Sequence, residues 1–218
     1  MVRPETLQFL RDLGDNNSKA WVDANRSRWD ATRENFIAIV NQFIDNADRY
    51  DARIARAGID PRRSFTRLNR DPRTRHGRPP YKTFSAVFAN PGSTVEVFGY
   101  YIHVEPGQSY AGASLFIPSD TALTRMRTKI ARHADAWDRL VTDADFRRAY
   151  PNGVEALDSL KSVPRGFEPG HPAARYLKMK GYGMAAAMSD QHVQQADLMD
   201  HLVELFKAAR PVADFLNK

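Results

Sequence analysis

Arg67, Arg70 and Arg73 recur at every third position in RLNRDPRTRHGRPPYKT, the stretch from Arg67 to Thr83, which holds five arginines and Lys82 around one acid, Asp71. The planar guanidinium fork donates two parallel hydrogen bonds to a phosphate or carboxylate and stays charged wherever it is placed. From Arg62 to Lys82 there are eight basic residues against that single acid, in a chain whose 32 basic and 26 acidic residues leave a net charge of only +6. Nearly the whole excess is concentrated in one segment, as an anion site requires, whereas a general nucleic-acid coater would spread it. Three prolines and a glycine keep the stretch out of regular structure and stiffen it. Arg67, Arg70, Arg73 and Lys82 are therefore the expected clamp, with Tyr81 packing on the rest of the ligand. Asp71 is either a catalytic group or the salt-bridge partner that fixes the loop; a solvated basic loop without specific purpose is the bland alternative.

A second set of reactive residues lies in GYYIHVEPGQSYAGASL. Valine, aromatics and alternation predict two antiparallel strands joined across EPGQ. With a two- or four-residue connection Phe98 meets Leu115, Tyr100 meets Ala113 and Ile102 meets Ala111, which makes the core face. Tyr101, His103 and Glu105 then share the other face with Tyr110, Gly112 and Ser114. A carboxylate two residues from an imidazole on one strand face can orient it, which suits a general acid or base at His103. The bland reading is a histidine satisfied by neighbouring tyrosines. No third ligand accompanies the pair, so no metal is expected. The small residues from Ala111 to Ser114 either admit a ligand or let a helix approach closely.

The elements that must hold these groups are legible from periodicity. Pro4 opens a helix with Leu7, Leu10 and Leu13 on one stripe, ended by Gly14. Ser18 caps a longer helical stretch, carrying Trp21, Trp29, Phe36, Val40 and Phe43, up to about Tyr50. KTFSAVFAN, STVEVFGYYIHVEP and QSYAGASLFIPS read as consecutive strands. SDTALTRMRTKIARHADAWDRLV reads as one amphipathic helix, capped by Ser119 or Asp120, with Leu123, Met126, Ile130, Trp137 and Val141 inward. A strand or two is expected between Gly153 and Met188, broken by PRGFEPGHP, where Arg165 and His171 form a second, weaker polar loop. DQHVQQADLMDHLVELFKAAR returns to helix, ended or kinked by Pro211. The fold class is α+β: an antiparallel sheet with N-terminal, central and C-terminal helices packed on it, as a single domain over residues 1–218.

Composition and motifs exclude several classes. With 42% hydrophobic and 27% charged residues the chain has ordinary soluble composition. No apolar run is long enough to cross a bilayer, no signal peptide is recognisable and there is no cysteine, so a cytoplasmic protein without membrane association or thiolate chemistry is expected. GYGMAA, from Gly181 to Ala186, matches the dinucleotide fingerprint formally, but RYLKMK before it is no buried strand and no acidic residue follows at the proper distance. Walker, zincin and nucleophile-elbow motifs are missing, and no cofactor is expected.

NNSKAW after a short helix, RLNRDPRTRHGRPPYK, YYIHVEPGQSYAGASLFIP, MRTKI, and PRGFEPGHP followed by YLKMK, in this order, resemble the bacterial and fungal domain of unknown function 2461 family over nearly the whole chain. The resemblance implies one complete α+β domain and puts the family's polar signature on Arg67, Arg70, Asp71, Arg73, Pro80, Tyr81 and Lys82, on Tyr101, His103 and Gly112, and on Arg127, Arg165, Gly166 and His171. Thr74, Arg75 and Arg78 depart from it, standing where an aromatic, a serine and a lysine are usual.

The leading expectation is a site for an anionic small molecule, with turnover left open: Arg67, Arg70, Arg73 and Lys82 clamp a phosphate or carboxylate, Tyr81 and Tyr101 pack on the rest, and His103 moves a proton. No nucleophile is identifiable, so water or a substrate group would attack. The alternatives are a nucleic-acid binder, using the arginine loop and exposed tyrosines, and a module that docks an acidic partner.

Overall fold

Alternation of apolar residues makes the middle of the chain a sheet, and helices from both sides of the sequence bury one of its faces. The computed structural model describes residues 1–74, 76–90, 97–115 and 117–217. Among them β1 (Ser85–Ala89), β2 (Gly99–Val104), β3 (Ser109–Leu115) and β4 (Tyr182–Met188) form one antiparallel sheet in the order β1-β2-β3-β4. Arg75 and the expected strand start at residues 93–96 lie outside the described residues.

The turn between β2 and β3 sets which side chains face the site. Four residues, Glu105 to Gln108, make the connection; the Gln108 N–H donates to the Glu105 carbonyl at 3.0 Å, and Gly107 has φ +76°. Proline followed by a left-handed glycine is the type II pattern, which only glycine adopts without strain. The even count gives the expected register, Tyr100 opposite Ala113 and Ile102 opposite Ala111, with the paired residues ending at Gly99 and Ser114. Val87, Ala89, Tyr100, Ile102, Ala111, Ala113 and Met184 are buried on the core face.

Eleven helices surround the sheet among the described residues. The N-terminal group is α1 (Pro4–Asp15), α2 (Lys19–Ala24), α3 (Arg26–Asp45), α4 (Ala47–Tyr50) and α5 (Arg53–Arg56). The 66-residue excursion between β3 and β4 contributes α6 (Asp120–Arg132), α7 (Ala134–Thr142), α8 (Ala144–Ala149) and α9 (Ala174–Leu177), and the chain closes with α10 (Asp190–Val193) and α11 (Leu198–Asn217). α11 packs on β3, and its Phe206 joins Phe43, Tyr50 and Tyr100 in an aromatic cluster with centroids 5.0–5.4 Å apart. Both tryptophans of the N-terminal half pack on Phe9, at 5.7 Å for Trp21 and 5.9 Å for Trp29.

Two helix expectations are corrected, and of the two outcomes expected at Pro211 an end to the helix is excluded. The stretch from Ser18 to Tyr50 is three helices, because the side chains of Asn25 and Asn46 turn back and donate to the carbonyls of Trp21 and Gln42, competing with the helical ladder. The central helix breaks at His133 into α6 and α7, although Ser119 caps it and all five expected residues are buried. α11 continues six residues past Pro211, since Val212, Ala213 and Leu216 are buried beyond it. Burial of those side chains offsets the roughly 3 kcal/mol that a mid-helix proline costs. Between Gly153 and Met188 there is one strand, β4, which contains most of GYGMAA, so that segment is sheet and not a phosphate-binding turn. No described helix is long and apolar enough to cross a membrane.

Candidate functional site

The outer face of the sheet carries the expected polar set. His103, opposite Ala86 on β1 and Tyr110 on β3, is buried between two rings: Tyr110 at 4.5 Å and 10°, and Phe84 at 4.6 Å and 27°. Its Nε2 bonds Glu105 Oε2 at 2.9 Å. A carboxylate that accepts from Nε2 leaves Nδ1, which has no hydrogen-bond partner among the described residues, as the basic nitrogen. The stacked rings hold the imidazole plane, and Glu105 holds its tautomer. His103, Tyr101, Tyr110, Phe88, Ser114 and Ile117 are among the residues around a hollow of about 480 Å3.

Tyr101 is buried rather than exposed. Directly opposite it stands Gly112, and its hydroxyl donates to the Met184 carbonyl of β4 at 3.4 Å, so the ring spans β3 where that strand has no side chain. Burial, then the neighbouring Tyr110 and Glu155, pushes its phenol pKa up. A Cβ on Gly112 would stand 1.9 Å from the Met184 carbonyl oxygen. The small residues of β3 thus serve both faces: Gly112 admits the Tyr101 ring on the outer one, and Ala111 and Ala113 are buried on the core face, where α11 packs on the strand.

The arginine stretch divides at its own tip. Arg70 N–H donates to Pro80 O at 2.8 Å, and Lys82 N–H to Leu68 O at 2.9 Å, so the two ends form a short antiparallel stem. Asn17 clamps that stem from α1's side of the molecule: Tyr81 N–H donates to its Oδ1 at 2.9 Å and its Nδ2 donates to Tyr81 O at 3.1 Å. Tyr81 itself is buried in the core. At the tip Asp71 accepts from Arg73 Nη2 at 2.7 Å, and the Arg73 side chain is 88% exposed. This contact holds the Asp71 carboxyl below its ordinary pKa. The pair faces solvent, and a salt bridge within the loop is one of the contacts that Asp71 makes.

Arg67, Arg70 and Lys82 remain at the stem. Lys82 Nζ donates to the Arg67 carbonyl at 2.8 Å, and burial, then Arg70, then Arg67, lowers its pKa. Arg70 Cζ lies 5.9 Å from the centroid of Phe84, the ring stacked on His103, and its Nε is buried without a hydrogen-bond partner among the described residues. None of the ion pairs among the described residues involves Arg67, Arg70 or Lys82. By contrast, a hollow of about 570 Å3 between α8 and α11 is lined by charges already paired with each other, Arg148 with Asp145 and Lys207 with Glu204.

The family model described as a conserved hypothetical protein, DUF2461, matches residues 5–215. The chain belongs to the DUF2461 family. No curated protein and no solved structure matches it. The polar positions that the resemblance singles out fall into separate places. Arg70 and His103 meet at Phe84, Tyr101 shares the sheet face of His103, and Lys82 is bonded to the Arg67 carbonyl. Arg127, on α6, is buried and donates from Nη2 to the Met179 carbonyl at 2.8 Å. His171 accepts the Ala173 N–H at Nδ1, 3.0 Å away, which leaves Nε2 to donate to the Ala131 carbonyl at 3.2 Å, tying its loop to the end of α6. Arg165 is exposed beside Gly166, whose φ is +90°. The contacts of Arg127 and His171 are those of struts, Arg127 from α6 to the segment between α9 and β4 and His171 from the polar loop to α6. Sequence reasoning missed Phe84 and Asn17; alternation extended two residues back from Ala86 places Phe84 on the His103 face, and Asn17 stands in the NNSKAW element.

Replacing Asn17 by alanine leaves both backbone groups of Tyr81 without their partners. The expected cost is about 1–2 kcal/mol, together with faster amide exchange at Tyr81 and Lys82 than elsewhere in the sheet. Denaturant titration and native-state hydrogen exchange read both; exchange that speeds up uniformly would show that Asn17 does not act on the stem.

Proposed function

We propose that DUF2461 in this chain binds a small molecule bearing a phosphate or carboxylate, with the anionic head at Arg70 and Lys82 and its body against Phe84 and the hollow beside His103. The observation that carries this reading is the gathering of Arg67, Arg70 and Lys82 without a carboxylate, joined through Phe84 to a histidine with an orienting glutamate. Like charges held together raise the free energy of the empty site, and an anion relieves it. His103 takes or gives a proton at Nδ1 while Glu105 stabilises the imidazolium through Nε2. Arg73 and Asp71 stay outside this arrangement, neutralising one another at the loop tip. A nucleic-acid platform of exposed tyrosines finds less support, because Tyr81 and Tyr101 are buried.

Phenyl phosphate, which has a single anionic head on an apolar body, is the probe. Calorimetric titration is expected to show binding that weakens roughly 10- to 100-fold in Arg70→Ala/Lys82→Ala, the loss of one charge-assisted contact or more. His103→Gln, which keeps a planar polar side chain, should leave the affinity within about threefold while removing any acid–base turnover. Equal affinity in wild type and the double variant would overturn the proposal.

A further inference from the structure

A second cationic concavity shares Arg67 with the outer-face site and is otherwise built from residues that the site does not use. Its walls are α3, through Trp29 and Arg33, and the segment from Arg62 to Asn69, and they enclose about 620 Å3. Four arginines face it, Arg33, Arg62, Arg63 and Arg67, and no acid lines it. The only described carboxylate paired with any of them is Glu34, 3.6 Å from Arg33 Nη2, a long contact, and Arg33 Nε is buried with no hydrogen-bond partner among the described residues.

The walls are held in place. Pro61–Arg63 is a single 3-10 turn whose Arg62 N–H donates to the Asp60 carboxylate at 2.9 Å. The next residue, Ser64, donates its hydroxyl to Asp60 O at 2.9 Å and accepts the Phe88 N–H of β1, also at 2.9 Å, through its carbonyl. Phe65 then packs on Phe36 of α3 at 5.9 Å. The turn that presents Arg62 and Arg63 is thus fastened to both the sheet and α3, and the guanidinium forks start from a fixed backbone.

We infer that this cleft binds a chain of linked phosphates, of the kind found in inorganic oligophosphate or the tail of a nucleoside polyphosphate. One phosphoryl group brings about −1.5 to −2, too little to balance four guanidiniums of which one has a single distant carboxylate. Two or three linked groups match that charge, and they offer enough oxygens for several two-pronged arginine contacts. The inference turns on Arg33, Arg62 and Arg63; it shares Arg67 with the outer-face reading and uses none of Arg70, Lys82 and His103.

The probe is inorganic tripolyphosphate, titrated calorimetrically against wild type, Arg62→Ala/Arg63→Ala and Arg70→Ala/Lys82→Ala, with orthophosphate and a single-stranded oligothymidylate as comparisons. Arg62 and Arg63 are exposed on their turn, and the cap that holds it uses backbone and Asp60, so the first variant keeps the fold. The expected result is tripolyphosphate binding at least about tenfold tighter than orthophosphate, and at least about tenfold weaker in Arg62→Ala/Arg63→Ala than in wild type. Loss in Arg70→Ala/Lys82→Ala with none in Arg62→Ala/Arg63→Ala would place the phosphates at the outer-face site and overturn the inference while leaving that site's reading intact. Absence of tripolyphosphate binding would overturn it too, as would oligothymidylate that binds tighter at equal phosphate concentration and weakens steeply with salt.

Discussion

Asp51→Ala is expected to lower the unfolding free energy by about 3 kcal/mol or more, and the midpoint of thermal unfolding by roughly 10 °C. Asp51 is fully buried, and its carboxylate accepts from Arg53 at 2.8 and 2.6 Å and from the Tyr100 hydroxyl at 3.0 Å. Removing it leaves the Tyr100 hydroxyl of the core face without its acceptor, and leaves Arg53 with only Asp214, at 2.5 Å. Losing the acceptor costs more than the contact contributes, because the Tyr100 hydroxyl stays desolvated while only the partly exposed Arg53 regains water. Tyr100→Phe, which removes one hydroxyl and keeps the ring on Phe206, should cost only about 1 kcal/mol.

The same residue sets an acid limit. Burial raises the Asp51 pKa, but the hydrogen bonds and charge of Arg53, with Tyr100, outweigh it, so the folded-state value lies below the ordinary one. The unfolded chain then binds more protons than the folded one across that interval, so stability rises with pH there. The contribution is complete above the unfolded value of about 3.9 and is lost as pH falls through the lower folded value. Urea midpoints measured between neutral pH and pH about 3 should fall in wild type and fall less in Asp51→Asn. Equal slopes would show that other carboxylates carry the acid sensitivity.

Gly112→Ala should be nearly as damaging, at roughly 3 kcal/mol, the upper end for overpacking. The added carbon meets the Met184 backbone at 1.9 Å for the oxygen and 2.9 Å for the carbonyl carbon, and a strand paired along seven positions cannot step aside locally. Relief requires β4 to move away, which also takes the acceptor from the Tyr101 hydroxyl and opens the floor of the hollow. The expected signature is a large drop in denaturant midpoint together with lost protection of the β4 amides, from Tyr182 to Met188. A variant of wild-type stability would mean that the sheet flexes there at little cost.

Which features the sequence determined, and which it could not, divides along the range of the forces involved. The faces of β2 and β3 were legible because the period of a strand is two and Glu-Pro-Gly-Gln allows one tight turn, so Tyr101, His103 and Glu105 were correctly placed together before any tertiary contact was known. Caps such as Ser18 and Ser119 act within three residues and were legible for the same reason. Asn25 and Asn46 break helices by equally local bonds, but the same residue types also sit undisturbed in helices, so only the folded chain shows which way each amide turned.

Tertiary structure alone decided the rest. Pro211 has a local cost that predicts an end to the helix or a kink, and burial of Val212, Ala213 and Leu216 carries the helix past it. The arginine stretch reads as one cluster because its charges are contiguous, yet folding sends them apart: Arg73 to solvent with Asp71, Arg70 to Phe84, and Arg67 to a position beside Lys82 that also borders the cleft shared with Arg33 of α3. That partition depends on Asn17, 64 residues from Tyr81, and on α3, and contacts across such separations leave no period or spacing in the sequence to read. Charge is a property of residues, and convergence is a property of the fold.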